Sequence, residues 1–232
     1  MIDQETKTPV QALGLRERKT ARAKLALLDA VMERLGDRSL ESIPVKDLCI
    51  AAEVSEPSFF NYFPKKTDLL VYFIQLWSVD MGWRLSLRKA GSTARSAVED
   101  LFVETARQMD ASPGLMAEIL AFQAKNGQCP YIQPLELAEK ILRFPDRQGI
   151  ERISESLITE LFGPLVAEAL RRGELPSSLD PNAVLFGLGA IFFGLPAIAG
   201  AFGPAGLGRA YLAQIDLLWR GLVAHGGLAT RR

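Results

Sequence analysis

The chain has 232 residues, and its 27 lysines and arginines balance its 27 aspartates and glutamates, so the formal net charge is zero. Hydrophobic residues make up 48% and charged residues 23%, which is enough to bury a core and is not typical of a disordered chain. Two cysteines 80 positions apart (Cys49 and Cys129) and one histidine (His225) exclude a disulfide framework, the usual zinc spacings and a hydrolase triad. We therefore expect no catalytic residues, no metal and no cofactor.

The N-terminal third of the chain predicts three short helices. No stretch alternates with period two, so no strand is predicted. Apolar spacing predicts a first helix over 18–35. Pro44 suits the first turn of a second helix, because proline is favoured there. Ser55 and Pro57 suit the cap and first turn of a third helix, which ends before Pro64 because proline disfavours helix at the preceding residue.

The rest of the chain also predicts helices only. A fourth helix begins at about Thr67, and its apolar residues recur with helical spacing until the break at Gly91. Further helices are predicted over 97–109, 113–125, 135–144, 147–172, 181–195 and 207–224. Three short helices have the size of a helix-turn-helix module. The predicted fold class is all-α, with an N-terminal three-helix helix-turn-helix domain followed by a larger helical domain.

One segment raises the question of a membrane. From Pro181 to Gly208 the sequence has 28 residues without a charge, and a transmembrane helix needs about 20 apolar residues. Pro196 and the glycines after it shorten the continuous apolar helix, and neither a Trp or Tyr belt nor a Lys and Arg bias flanks it. We therefore expect a buried helix of a soluble protein, with a membrane anchor over 183–202 as an alternative.

The most specific pattern in the chain is VKDLCIAAEVSEPSFFNYFPKKTDLL, over 45–70. It contains Asp-Leu-Cys after a valine, then Ala-Glu-Val-Ser, then a short helix that ends in Phe-Asn-Tyr-Phe, and finally a lysine with Leu-Leu. The segment over 19–70 closely resembles the DNA-binding domain of the TetR family of transcriptional regulators. The matching positions are Val45, Asp47, Leu48, Cys49, Ala52, Val54, Ser55, Asn61, Tyr62, Phe63, Lys66, Leu69 and Leu70.

Three residues depart from the family pattern. Glu53 replaces the usual glycine, so we expect that the turn before the third helix needs no left-handed residue. Phe60 replaces the common tyrosine and removes a hydroxyl that would reach a phosphate. Glu56 lies where the recognition helix begins, and its carboxylate would repel phosphate unless it accepts a hydrogen bond from a cytosine amine.

Local charge supports DNA binding although the net charge does not. The stretch 16–24 has five bases and one acid, and basic clusters bind the phosphate backbone by releasing counterions. The phenol of Tyr62 suits a phosphate, and the short polar side chains of the third helix suit base edges. Plainer roles also exist, such as Ser55 as a helix cap and Cys49 as a small buried residue. The predicted DNA-contacting residues are Arg16, Arg18, Lys19, Ser55, Glu56, Ser58, Phe60, Asn61, Tyr62 and Lys66.

The resemblance implies that the C-terminal part binds a small molecule and forms a dimer. Polar side chains fall on the apolar faces of the fourth, fifth and sixth helices, and a mostly apolar cavity with a few polar groups is typical of ligand sites. The predicted ligand-binding residues are Trp77, Met81, Arg84, Phe102, Thr105, Met109, Met116 and Gln123. An ordinary core is the alternative interpretation of the same residues.

The last two helices are predicted to form the dimer interface. The helix at 183–195 is apolar on all sides, which suits burial against both its own core and a partner. Ala190 and Gly194 permit close approach, and the final helix shows a seam with nearly heptad spacing. The predicted interface residues are Ala190, Gly194, Tyr211, Ile215, Leu218 and Leu222.

Taken with the resemblance, these observations imply a dimeric DNA-binding regulator of the cytoplasm. The simplest form is a repressor that a small hydrophobic ligand releases from an inverted-repeat operator in double-stranded DNA. The predicted domains are a flexible tail over 1–15, the DNA-binding domain over 16–66 and a ligand-binding and dimerisation domain over 67–232. An all-helical enzyme or carrier acting on a hydrophobic small molecule is the alternative, although the chain offers it no nucleophile paired with a base.

Overall fold

The computed structural model describes residues 13–35, 38–126, 133–199 and 206–229. Within these ranges all regular secondary structure is helical, which confirms the predicted all-α class. The α-helices are α1 (Leu15–Met32), α2 (Val45–Ala51), α3 (Glu56–Tyr62), α4 (Asp68–Ser86), α5 (Ala94–Ala111), α6 (Pro113–Asn126), α7 (Leu137–Arg143), α8 (Ile158–Arg171), α9 (Pro181–Ala199) and α10 (Leu207–Ala229). A short 3-10 helix (Ile150–Arg152) lies between α7 and α8.

The chain folds into two compact units. The first unit holds the described parts of Met1–Trp83 and Lys125–Glu155, and the second holds those of Arg84–Ala124 and Ser156–Arg232. The first unit therefore adds most of α4, and the segment around α7, to the three N-terminal helices of the predicted DNA-binding domain. Most of the predicted tail lies outside the described residues, but Leu13 is already buried in this unit.

In the first unit, α3 begins and ends where its sequence signals predict. The hydroxyl of Ser55 caps the helix by accepting a backbone N–H, and Pro57 lies in the first turn. Phe59 and Phe63 are buried, with ring centroids 6.1 Å apart. The ring of Phe63 also lies 5.4 Å from that of Tyr72 on α4. These aromatic contacts attach α3 to the core of its unit through its inner face.

The predicted continuous helix over 147–172 is wrong. Gly149 has a φ of +83°, in the left-handed region, and only the short 3-10 helix follows it before α8 begins at Ile158. The carbonyl of Ile153 accepts a hydrogen bond from the ammonium of Lys140 at 2.8 Å, so this backbone is tied to α7 instead of to a helical turn. The apolar period that runs through 150–157 thus belongs to two structures, because Ile150 is buried in the first unit and α8 lies in the second.

The second unit is built around an aromatic cluster. Phe102 of α5 lies with its ring centroid 5.3 Å from Phe162, 5.4 Å from Phe192 and 4.8 Å from Tyr211. These four side chains come from α5, α8, α9 and α10, so a single cluster joins four helices. The pairs of Phe102 with Phe192 and Tyr211 are edge-to-face, an arrangement that stabilises beyond the area that it buries.

One end of the second unit is held by carboxylates. Glu174 accepts the backbone N–H groups of Ala94 at 2.9 Å and Arg95 at 3.1 Å, where α5 begins. Glu168 on α8 accepts hydrogen bonds from Arg88 at 2.9 Å and Arg172 at 2.8 Å. The hydrogen bond from Arg88 has the larger effect and that from Arg172 the smaller, and together they hold the pKa of Glu168 below its usual range.

Candidate nucleic-acid interface

The start of α3 presents two hydroxyl groups to the surface. The Oγ of Ser55 accepts the backbone N–H of Ser58 at 3.3 Å, and the two side-chain hydroxyls lie 2.8 Å apart. Ser55 is exposed and Ser58 is half-buried. Ser55 therefore is a helix cap, and its hydroxyl remains at the surface beside the exposed carboxylate of Glu56.

The outer face of α3 carries the remaining predicted reading residues. Asn61 is exposed, and Phe60 is 49% exposed while its ring rests edge-on against buried Phe59 at 5.2 Å. The helix is amphipathic in the way that a recognition helix requires, because its aromatic inner face is fixed in the core and its outer face is free to enter a groove.

A cleft of about 580 Å³ separates the start of α1 from the end of α3. Its lining residues are Leu15, Arg16, Lys19, Thr20, Asn61 and Tyr62. Four of the predicted DNA-contacting residues therefore meet in one place, with two bases on one wall and an amide and a phenol on the other. The two bases and the phenol suit a phosphate, which accepts hydrogen bonds from such groups, and the amide of Asn61 lies beside them at the outer face of α3. Sequence reasoning missed Leu15 and Thr20, which are neither charged nor part of the motif.

Two other predicted bases are placed differently. Arg18 on α1 is half-buried, whereas its neighbours Arg16 and Lys19 are exposed. Lys66 directs its ammonium to the backbone carbonyls of Glu41 at 2.8 Å and Ile43 at 2.7 Å. The loop before α2 therefore holds the ammonium of Lys66 in this structure, and its contact with DNA stays a prediction.

The expectation about Glu53 is also wrong. Its φ is +54°, the one positive value at a non-glycine residue in the described chain. The N–H of Val54 donates to the carbonyl of Cys49 at 2.9 Å, and that of Glu53 donates to the carbonyl of Ile50 at 3.3 Å. This pair of hydrogen bonds is the Schellman ending of a helix, which places a left-handed residue just after the cap. The turn thus has the geometry that glycine favours, with a glutamate in it.

Cys49 is buried at the end of α2, as the plain interpretation of that residue expects. Burial raises the pKa of its thiol, and the nearby carboxylate of Glu56 raises it further. The thiol is therefore held in its neutral form, which is the less reactive one.

The predicted ligand-binding residues fall in both units and are mostly buried. Trp77 and Met81 are buried on α4 in the first unit. In the second unit Phe102, Thr105, Met109 and Met116 are buried, and Gln123 is half-buried. The hydroxyl of Thr105 donates to the carbonyl of Leu101 at 2.8 Å, and the guanidinium of Arg84 pairs with Glu104 at 2.9 Å.

The predicted dimer residues divide between the core and the surface. Tyr211 and Ile215 have no exposed surface. Tyr211 belongs to the aromatic cluster, and its hydroxyl donates to the carbonyl of Phe192 at 2.8 Å. These two residues are therefore core residues of one chain, and their assignment to a dimer interface is corrected. Leu218 and Leu222 are half-buried.

Other residues of α9 and α10 present the apolar surface instead. Ala190 and Gly194 are exposed, as an interface requires, and Phe186 and Leu217 are 79% and 61% exposed. A groove of about 680 Å³ follows this face of α9. It is lined by Ile158, Thr159, Phe162, Asn182, Leu185, Phe186, Gly189, Ala190, Phe193 and Gly194. The heptad spacing of α10 predicted its apolar stripe. It gave no signal for Phe186, because α9 is apolar on all sides and its sequence does not show which residues are exposed.

Among the described helices, α9 is the one that is long and apolar enough to cross a membrane by length and composition. Its window over 181–198 has a mean hydropathy of 1.7, and 17% of that window is buried within the chain. The predicted buried helix is therefore corrected for the single chain, because Val184, Leu188 and Phe192 are buried while most of the window is not.

Comparison with solved structures identifies the fold. A γ-butyrolactone receptor, an ArpA-like protein, is 20% identical with a TM-score of 0.53, over 94% of this chain and 97% of its own. GusR of Salmonella enterica is 16% identical with a TM-score of 0.60, over 87% of this chain and 95% of its own. PfmR, a TetR family transcriptional regulator from Thermus thermophilus, is 16% identical with a TM-score of 0.53, over 84% of this chain and 98% of its own. This chain has the TetR fold.

The TetR fold confirms the predicted arrangement of a helix-turn-helix followed by a larger helical part. No family model and no curated protein matches the sequence. The fold of most of the chain therefore agrees with the resemblance that residues 19–70 carry.

Proposed function

We propose that this protein is a dimeric DNA-binding transcriptional regulator whose operator affinity falls when a small hydrophobic ligand binds. The observation that carries the proposal is the cleft between α1 and α3, where Arg16, Lys19, Asn61 and Tyr62 converge beside the exposed face of a short helix. The structural neighbours with a stated role are a receptor and a transcriptional regulator. They support a regulator in preference to an enzyme or carrier.

The dimensions of α3 suit the major groove. An α-helix with its side chains is about 10–12 Å across and the groove is about 12 Å wide, so the exposed face of α3 can enter it. With Ser58 and Asn61 facing base edges, the bases of α1 contact the flanking phosphates. Because the net charge of the chain is zero, affinity depends on this local cluster and should fall steeply with salt.

The exposed apolar face of α9 and α10 supports a homodimer. Monomers rarely leave an apolar patch larger than a few hundred Å² exposed. A twofold interface would cover Phe186, Ala190, Gly194 and Leu217 of both copies at once. It would also present two α3 helices to one inverted-repeat site.

The ligand proposal depends on the apolar interiors of the helices that follow the DNA-binding segment. Met109 and Met116 are buried on α5 and α6, and methionine repacks readily around different apolar shapes. Arg84 is half-buried and pairs with Glu104 of α5 at 2.9 Å, so a ligand with one acidic or polar group could take the place of that carboxylate. A release that weakens operator binding by roughly 5–150-fold corresponds to typical coupling between sites.

Selection of DNA from a random pool by the purified protein tests the function. The expected result is an enriched inverted repeat whose half-sites lie about one helical turn apart, or a multiple of it, bound by a species that light scattering shows to be a dimer. A pool that yields no enriched sequence would exclude DNA recognition. Solubility only in detergent would favour the membrane-anchor alternative.

Ligand response is tested separately on the selected fragment. A γ-butyrolactone is the first probe, because one structural neighbour is a receptor for that class, and long-chain carboxylic acids are the second. Binding should change tryptophan fluorescence and release the DNA at the same concentrations. A compound that binds tightly without changing operator affinity would refute the coupling.

A further inference from the structure

The segment over 133–155, which includes α7, leaves the second unit and packs into the first. It lies in sequence between two stretches of the second unit, yet it belongs to the unit that contains α1. Leu13 and Ala21 of the α1 region form one buried cluster with Ala138 and Ile141 of α7. We call residues 133–155 the α7 segment. The apolar face of the α7 segment packs against α1.

A buried ion pair strengthens this contact. Lys24 of α1 pairs with Glu139 of α7, whose side chain is 1% exposed. The ammonium of Lys24 also lies 4.9 Å from the ring centre of Tyr72 and 5.9 Å from that of Phe63, the residue that follows α3. The second carboxylate oxygen of Glu139 accepts the backbone N–H of Glu136 at 2.6 Å. One charge pair therefore touches α1, α4, α7 and the end of α3.

The same segment is also fastened along α4. Asp80, which is buried, pairs with Arg147. The guanidinium of Arg147 lies 5.0 Å from the ring centre of Trp83, whose indole N–H donates to the carbonyl of Gln148 at 2.9 Å. A Cβ added at Gly82 would lie 2.8 Å from the side chain of Ile153, so this side chain packs directly on the backbone of α4. The α7 segment thus packs against both α1 and α4.

We propose that the α7 segment is a positioning element for DNA binding, which holds α1 at the distance from α3 that the phosphate cleft requires. This inference builds on the proposed function. Lys24 lies five residues beyond Lys19 on the same helix, about 7.5 Å along the axis. Loss of the ion pair between Lys24 and Glu139 therefore moves the side of the cleft that carries Arg16 and Lys19. The opposite side stays fixed by Phe59 and Phe63.

Variants of the ion pair separate position from charge. Lys24 is largely buried, so it adds little to the phosphate contacts, and its removal should not reduce the number of counterions released. Glu139→Ala leaves its ammonium partner buried and unpaired, which strongly favours a shift of α1. Lys24→Met combined with Glu139→Met removes both charges and keeps apolar volume, an exchange that buried ion pairs tolerate.

The experiment compares operator affinity, its salt dependence and amide hydrogen exchange of α1 in these variants. Glu139→Ala should weaken operator binding at least about fivefold with the slope of log affinity against log salt unchanged. The α1 amides should exchange on the order of tenfold faster without DNA. The double Met variant should return affinity to within about twofold of the wild type. Glu151→Ala is the matched control, because Glu151 is an exposed acid of the same segment, and it should change none of these.

Each other outcome overturns a stated part. Tighter binding with a steeper salt slope in Glu139→Ala would show that Lys24 is a phosphate contact held back by Glu139. Unchanged affinity and unchanged α1 exchange would show that the segment does not position α1. Glu139→Gln, which keeps the side-chain volume, takes the place of Glu139→Ala if that variant does not fold. If the wild type selects no DNA, the proposed function fails, whereas the exchange measurement still decides whether the segment fixes α1.

Discussion

Replacement of Glu53 by glycine should stabilise the protein, because this residue occupies a backbone conformation that L side chains rarely adopt. With φ at +54° it closes the Schellman ending of α2, and the hydrogen bonds of Val54 and Glu53 to the last turn depend on that conformation. Glycine reaches the same conformation without a clash between Cβ and the carbonyl oxygen. Glu53 is exposed, so no core packing is lost.

The magnitude follows from two opposing effects. The left-handed conformation costs an L residue about 1–2 kcal/mol. Glycine, in turn, loses more conformational entropy on folding, by about 0.5–1 kcal/mol. The expected net gain in the free energy of unfolding is about 0.5–1 kcal/mol, or about 1–4 °C in Tm for a chain of this size.

Chemical and thermal unfolding of three variants separate backbone from charge. Glu53→Gln removes the charge and keeps the strain, so its stability should stay within about 0.3 kcal/mol of the wild type. Glu53→Asn should lie between Gln and Gly, because asparagine tolerates the left-handed region. Gly149→Ala is the reverse control in the same unit. Its φ is +83° with open space around an added Cβ, so it should destabilise by about 1 kcal/mol from the backbone alone.

Backbone strain at Glu53 is refuted if Gln and Gly stabilise equally, since the gain would then come from the lost carboxylate. It is also refuted if Gly destabilises while Gly149→Ala behaves as expected. Operator binding adds a second readout. Both Gln and Gly should bind DNA somewhat more tightly at low salt if the carboxylate faces the phosphates, and the two should do so to the same extent.

Two further outcomes are expected. Phe186→Glu or Leu217→Glu should raise the dimer dissociation constant by about 10²–10⁴, because a twofold interface buries each side chain twice at about 1.5–3 kcal/mol. Leu87→Glu, at another exposed leucine, is the control and should leave that constant unchanged. Light scattering that shows an intact dimer in the first two variants would contradict the prediction. Glu168→Gln should make the free energy of unfolding fall less steeply as the pH is lowered into the acid range. The lowered pKa of Glu168 stabilises the fold above its unfolded pKa of about 4.3, and that contribution is lost as pH falls through the folded value. A free energy of unfolding that falls with acid as steeply in Glu168→Gln as in the wild type would contradict this prediction.

Signals that act over a few residues were sufficient to predict much of the DNA-binding part. The cap at Ser55 and the proline after it predict where α3 starts, and the alternation of aromatic and polar residues predicts which face is inner. These features depend on backbone hydrogen bonds and sterics within one turn of helix. The polar residues of the cleft were predicted as DNA contacts from local charge and the motif, but their convergence was not, because it brings together residues of α1 and α3 that lie more than 40 positions apart.

Most of what the sequence did not show depends on a partner distant in sequence; the left-handed turn at Glu53 is the exception, because its hydrogen bonds are local. The carbonyls that hold Lys66 lie 23 and 25 residues before it, and backbone acceptors leave no mark in a sequence. The apolar period around Ile150 is genuine, but it fills the core of the first unit instead of extending α8. Tyr211 and Ile215 form a regular stripe, and periodicity does not tell whether such a stripe meets its own core or another chain.

The contrast between Lys66 and Lys19 provides a direct test of which of the two lysines contacts DNA. Lys19 is exposed in the cleft, so Lys19→Ala should lower the slope of log affinity against log salt by about one unit with little change in stability. Lys66 donates to two carbonyls, and Lys66→Ala should leave the salt slope unchanged. It should lower the free energy of unfolding by about 1–3 kcal/mol, because two charge-assisted hydrogen bonds are lost. If Lys66→Ala instead lowered the slope as Lys19→Ala does, its ammonium would have to exchange the loop carbonyls for a phosphate on binding, and the first interpretation of this lysine would be confirmed.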